Sequence, residues 1–154
     1  GPFDEDKEYT DECLTLINLL GLDGVVEFTG NVDLKKAFND VDLVVLTSIS
    51  EGQPLSLMES MSAGIPCVAT NVGACKELLY GKDSEDEMLG KCGIITNVHA
   101  PTETAQAIMT ILRDGSLYKR MALTGKTRME KYYQKHDILE RYGVEFKKLL
   151  KGEK

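Results

Sequence analysis

One stretch constrains this chain more than any other. It is Ser48-Ile49-Ser50-Glu51-Gly52-Gln53-Pro54-Leu55-Ser56-Leu57-Met58-Glu59, continued by Ser60-Met61-Ser62-Ala63-Gly64-Ile65-Pro66. Val41 to Thr47 upstream and Cys67 to Thr70 downstream are short apolar runs that predict strands buried on both faces. Pro54 suits the first turn of a helix, because its missing N–H has no partner there. Gly64-Ile65-Pro66 stops that helix. The stretch therefore reads as strand, tight loop, helix, strand.

In an open parallel sheet, ligands sit beyond the carboxyl ends of the strands. The loop from Ser48 to Gln53 is predicted to lie there. The free N–H groups of the following helix favour an anion by about 0.3–1 kcal/mol when exposed and up to about 2 kcal/mol when partly buried. Gly52 lets a ligand approach the backbone. Glu51 stands on the loop and Glu59 on the helix. Ser56 and Ala63 share the helix face of Glu59. Both are small, which leaves room for a bulky group such as a ribose.

Glu51, seven residues, then Glu59 is an E-x7-E arrangement. With Ala63-Gly64-Ile65-Pro66 and Val72-Gly73-Ala74-Cys75-Lys76-Glu77-Leu78, the string resembles the Pel-type exopolysaccharide glycosyltransferases. These belong to family 4 of the retaining enzymes of GT-B fold. The resemblance runs from Gly1 to about Leu150 and is densest from Phe28 to Leu79. Gly1-Pro2-Phe3 matches the family's own text and reads as native sequence.

The resemblance implies roles. Glu51 contacts the donor sugar. Gly52, Gln53, Pro54 and Leu55 meet sugar and diphosphate, Pro54 by contact alone. Glu59 takes the ribose hydroxyls. Gly30, Asn31 and Val32 run beside the nucleobase, and the turn at Val72-Gly73-Ala74 lies near the donor. No metal or other cofactor is implied. The donor expected from the family is uridine diphosphate glucose, and the acceptor a growing polysaccharide or another saccharide acceptor. The family's diphosphate-binding arginine and lysine sit in two strand–helix units to which nothing in this text corresponds. The chain, residues 1–154, is therefore expected to be an α/β, Rossmann-like donor domain lacking those two units. Such a shortened sheet is expected to close up, pair with another copy or belong to a longer protein. Two other classes remain: a non-catalytic sugar-nucleotide-binding or interaction module, and another GT-B-like enzyme such as a sugar-nucleotide epimerase. The E-x7-E string disfavours the epimerase.

Composition bounds the rest. At 154 residues the chain reads as one domain. No apolar run approaches the roughly 20 residues that span a bilayer. The net charge of −7 argues against nucleic acid or an anionic membrane as partner. Cys13, Cys67, Cys75 and Cys92 lack zinc spacing and read as small hydrophobes in a reducing compartment. With no signal peptide opening the chain, a cytoplasmic location is expected.

Alternation completes the α/β reading. Helices are predicted from Asp4 to Leu20, Leu34 to Asn39, Ala74 to Leu79 and from Pro101 onward in three stripes. Strands are predicted at Val25 to Gly30 and Gly93 to Val98. Gly81 to Gly90, with its acidic cluster, reads as a solvated surface insertion. His99 and His136 read as surface residues. Gly125-Lys126-Thr127 lacks the first glycine and the strand of a phosphate loop.

Overall fold

The computed structural model describes residues 6–150; Gly1-Pro2-Phe3 and the first predicted helical residues lie outside them. Contacts divide the chain into two compact units, Gly1–Asp40 and Val41–Lys154. In the first, helix α1 spans Lys7–Leu20. The Asp6 carboxylate caps it by accepting from the Tyr9 N–H, and Gly21 ends it at φ +63°. A one-turn helix, α2, covers Leu34–Ala37.

The predicted strand from Val25 to Gly30 does not form. An isolated bridge joins Asp23 to Val26, and the Val25 and Val26 N–H groups both turn back to the Leu22 carbonyl. Val25 is 76% exposed. A strand needs a neighbour that takes its ladder of N–H and C=O groups, and here the first two amides of the run are spent on a local turn.

The second unit is built on three parallel strands, β1 (Val44–Leu46), β2 (Cys67–Thr70) and β3 (Gly93–Thr96), in that spatial order. Val44 pairs with Cys67, and Cys67 with Gly93. Helix α3 (Leu55–Ala63) connects β1 to β2; α4 (Cys75–Tyr80) and α5 (Ser84–Glu87) connect β2 to β3. Then follow α6 (Pro101–Arg113), α7 (Gly115–Tyr132) and α8 (Lys135–Leu150).

Side chains alternate across β2. Cys67 and Ala69 enter a cluster with Leu57, Met61, Leu78, Leu79, Cys92 and Met129. Val68 faces the other way, into Ala107, Ile111 and Met121. β2 is thus buried on both faces, as its apolar run predicts. β1 is not. Val44 and Leu46 pack on the first cluster, but Val45 is 40% exposed. Val45 pairs with Val68 and so shares its face. Helix α6 packs against β2 and β3. Among the described residues β1 has a partner along one edge alone.

The insertion from Gly81 to Gly90 departs from its predicted role. Asp83 caps α5, accepting from the N–H groups of Glu85 and Asp86. Asp86 is buried, and its Oδ1 lies 2.6 Å from Nε of Arg128, which is buried too. The Arg128 Nη1 group donates to the carbonyls of Leu78 (3.3 Å) and Leu79 (3.1 Å) and to the Cys92 sulfur (3.3 Å). Its Nη2 group donates to the carbonyls of Asp86 (3.1 Å) and Gly90 (2.7 Å). One guanidinium therefore joins α7 to the end of α4, to α5 and to the start of β3. Gly125 lies on the same buried stripe, where a Cβ would meet Met61 at 3.4 Å. It brings α7 close to α3 and has no part in a phosphate loop.

The four cysteines are free thiols, three of them buried. Burial pushes Cys67 up to about 12 and Cys92 up to about 11, so both are neutral packing groups. No described helix is long and apolar enough to cross a membrane.

Candidate functional site

The loop between β1 and α3 runs past the carboxyl end of β1, where the sequence places the site. Pro54 is buried and stands one residue outside the helix, as its N-cap (φ −71°, ψ 117°), and not in the first turn as predicted. Its carbonyl accepts from the Met58 N–H at 3.5 Å. No side chain caps α3. The N–H groups of Leu55, Ser56 and Leu57 precede the first intrahelical bond, and an uncapped start of this kind favours an anion. At the other end Gly64, at φ +76°, closes the helix: its N–H donates to the Met61 carbonyl (3.0 Å) and that of Ile65 to the Ser60 carbonyl (2.9 Å).

Helix α3 buries Leu57, Ser60 and Met61. Its solvent face therefore carries Leu55, Ser56, Glu59, Ser62 and Ala63. Glu59 is exposed and makes no hydrogen bond or ion pair among the described residues. A carboxylate in that state has its acceptor capacity open to a ligand diol.

Glu51 is half-buried, with Gly52 and Gln53 exposed beside it. The Ser48 hydroxyl donates to Glu51 Oε1 at 2.6 Å. The Thr70 hydroxyl, at the end of β2, donates to the Ser48 carbonyl at 2.5 Å. The Gly52 carbonyl accepts from the Ala74 N–H at 2.8 Å. Burial, and the Glu51 carboxylate nearby, raise the Cys75 thiol above its ordinary value. The turn at Val72-Gly73-Ala74 thus lies against the Glu51 loop. Sequence reasoning placed this turn near the donor by resemblance alone and gave Ser48 and Thr70 no role. The signal was present as a serine three residues before the glutamate and a glycine just beyond the second strand.

A cavity of about 350 Å³ opens near the same ends of the strands, walled by Thr47, Thr70, Asn97, His99 and Thr104 among others. His99 is exposed there, at φ +57°. Glu51 and Glu59 are not in its walls. Gly30 (φ +63°), Asn31 and Val32 belong to the first unit, in an irregular stretch ahead of α2 where Asn31 and Val32 are exposed.

These features, a parallel sheet with an acidic loop and an uncapped helix at its carboxyl end, define a Rossmann-like α/β unit with an anion-favouring site. Comparison with known proteins agrees. Residues 1–114 match the family described as Glycosyl transferases group 1. The chain belongs to that family. It is 25% identical over 142 residues to N-acetyl-alpha-D-glucosaminyl L-malate synthase of Bacillus anthracis, covering 92% of this chain and 35% of that protein. Sucrose-phosphate synthase from Thermosynechococcus elongatus superposes with a TM-score of 0.81 at 21% identity, over 94% of this chain and 35% of that one. Anabaena HepE in complex with UDP and glucose superposes with a TM-score of 0.75 at 25% identity, over 89% of this chain and 37% of its own. The chain thus spans little more than a third of each of these relatives.

Proposed function

We propose that this chain is the donor-binding part of a retaining family 4 glycosyltransferase of the Pel type. The complete enzyme transfers a hexose from uridine diphosphate glucose to a growing polysaccharide or another acceptor. The observation that carries this reading is the uncapped start of α3 with Glu51 ahead of it and an unpartnered Glu59 on its solvent face. The N–H groups of the first turn receive the diphosphate. Glu59 accepts hydrogen bonds from the ribose diol, and charge-assisted bonds of that kind are worth about 1.5–3 kcal/mol. Glu51 contacts the sugar, with Gly52, Gln53, Pro54 and Leu55 along the donor. The complex of HepE with UDP and glucose supports the choice of donor. In this reading the domain lacks its first two strand–helix units, which accords with the edge of β1 left unpaired among the described residues and with the exposed Val45. The cytoplasmic location expected from the sequence goes with the same reading.

Substituting Glu51→Gln is expected to slow transfer by the complete enzyme while leaving affinity for the free nucleoside diphosphate nearly intact. Calorimetry with uridine diphosphate and steady-state kinetics decide it. A tenfold loss for the diphosphate alone would show that Glu51 does not act on the sugar.

The chain as given is expected to bind donor weakly and transfer no sugar. Leaving-group charge must be stabilised as it develops, and the N–H groups of one helix start are the donors found at this position. Lys76, the nearest basic residue downstream, stands exposed on α4. Acceptor positioning, worth several kcal/mol, needs a second binding surface. Labelled donor incubated with the chain and with the complete enzyme tests this. Equal turnover by both would overturn it.

A further inference from the structure

We propose that Ser48, Thr70 and Gly73 are positioning residues that place the Glu51 carboxylate. The inference rests on the donor reading for its ligand measurements, and on geometry alone for its first test. Two separate devices reach the same loop from β2 and its exit turn.

The first device is a relay of hydroxyl groups. Thr70 donates to the Ser48 carbonyl at 2.5 Å, and Ser48 donates to Glu51 Oε1 at 2.6 Å. Thr70 is nearly fully buried at the end of the central strand. A hydroxyl bound there fixes the Ser48 backbone, and the Ser48 hydroxyl then fixes one oxygen of Glu51. The other oxygen, Oε2, has no hydrogen bond among the described residues and is left for a ligand.

The second device is steric. Gly73 has φ +48°, a conformation that L side chains rarely adopt. A Cβ built on it would overlap the Glu51 carbonyl oxygen and stand 2.5 Å from the Gly52 carbonyl oxygen. The backbone of the turn is therefore seated directly on the backbone of the loop. The Ala74 N–H donates to the Gly52 carbonyl at 2.8 Å and locks the two together. Any side chain at this position must push the Glu51–Gly52 segment away. The loop is thus positioned by the strand beside it as well as by its own two ends.

The test begins with the free chain and needs no ligand. Carbon-13 NMR follows the Glu51 carboxyl resonance and its side-chain couplings, and hydrogen exchange follows the Ala74 amide. Ser48→Ala and Thr70→Val are expected to move the carboxyl resonance and average the Glu51 rotamers, and Ser48→Thr to restore both. Gly73→Ala is expected to speed exchange at Ala74 by about tenfold. A Glu51 signal unmoved by Ser48→Ala, with Ala74 still protected in Gly73→Ala, would overturn the inference. Binding supplies the second arm. In Ser48→Ala the ratio of affinities for uridine diphosphate glucose and uridine diphosphate is expected to fall about tenfold, the size of one bond to a charged group. Ser48→Thr should recover it, and the thermal midpoint should hold. Equal losses for both ligands would mark general loosening and count against positioning. If the unsubstituted chain binds neither ligand, the donor reading falls, and the NMR arm still decides the positioning inference.

Discussion

Replacing Arg128 with alanine is expected to lower the unfolding free energy by about 3–5 kcal/mol, the range found when one partner of a buried ion pair is removed. The geometry explains the size. Asp86 would remain buried with its charge uncompensated, the Gly90 carbonyl would lose the guanidinium donor, and the Leu78 and Leu79 carbonyls would keep only their bonds from Cys92. Domains are stable by only about 5–15 kcal/mol, so the loss removes a large share of the whole. Lysine does not rescue it, because one ammonium cannot span the carbonyls that the planar guanidinium reaches from two nitrogens. Urea titration of the native chain, Arg128→Ala and Arg128→Lys gives the three values. A double variant, Asp86→Leu with Arg128→Met, separates charge from packing: replacing both ions with apolar groups of similar volume is often neutral or stabilising. A drop below about 1 kcal/mol in Arg128→Ala, within the range of an exposed pair, would mean that the pair is hydrated.

Glu59→Ala is expected to weaken nucleotide binding by about 1.5–3 kcal/mol, roughly ten- to hundredfold. The side chain is exposed and its face of α3 carries no buried residue, so stability should hardly change. A ribose without its hydroxyls should be indifferent to the substitution. Calorimetry with uridine diphosphate and its 2′,3′-dideoxy analogue, on both proteins, gives a cycle in which the loss appears for the first ligand and shrinks for the second. Equal losses for the two would place Glu59 away from the ribose.

These two carboxylates illustrate what could be read in advance. Glu59 lies within a single helix, and the periodicity of Leu57, Ser60 and Met61 alone puts it on the outer face. Asp86 sits in a run of acidic residues and looks solvated. Its partner is 42 residues away, on a helix whose buried stripe of Met121, Gly125 and Met129 was the available clue. A charged residue within such a stripe signals a buried partner without saying which one.

Local signals therefore determined much by themselves. Gly21 and Gly64 end their helices because glycine enters the left-handed region at low cost, and Asp6, Asp83 and Asp114 cap theirs through carboxylates a few atoms from the amides they accept from. Cys67 to Ala69 is apolar and, with Thr70, became the central strand. The site loop follows from the same kind of information, since Glu51, the helix start and Glu59 are consecutive in the chain. What only the tertiary structure decided depends on partners distant in sequence. Val25 to Gly30 has the composition of a strand, yet its first amides turn back to Leu22, and Val45 stays 40% exposed on the face where its neighbour Val68 is fully buried. Pro54 fits a first helical turn by its own chemistry, yet it became the residue before the helix. The stripes of α1 and α8 predict helices correctly, but Leu16, Leu20, Phe146 and Leu149 on them are exposed. Glycine at position 73 is legible as a turn, but the two carbonyls that forbid a side chain there belong to Glu51 and Gly52. Backbone preference is set within a few residues of each position, while burial, strand pairing and steric exclusion are properties of what the fold brings alongside.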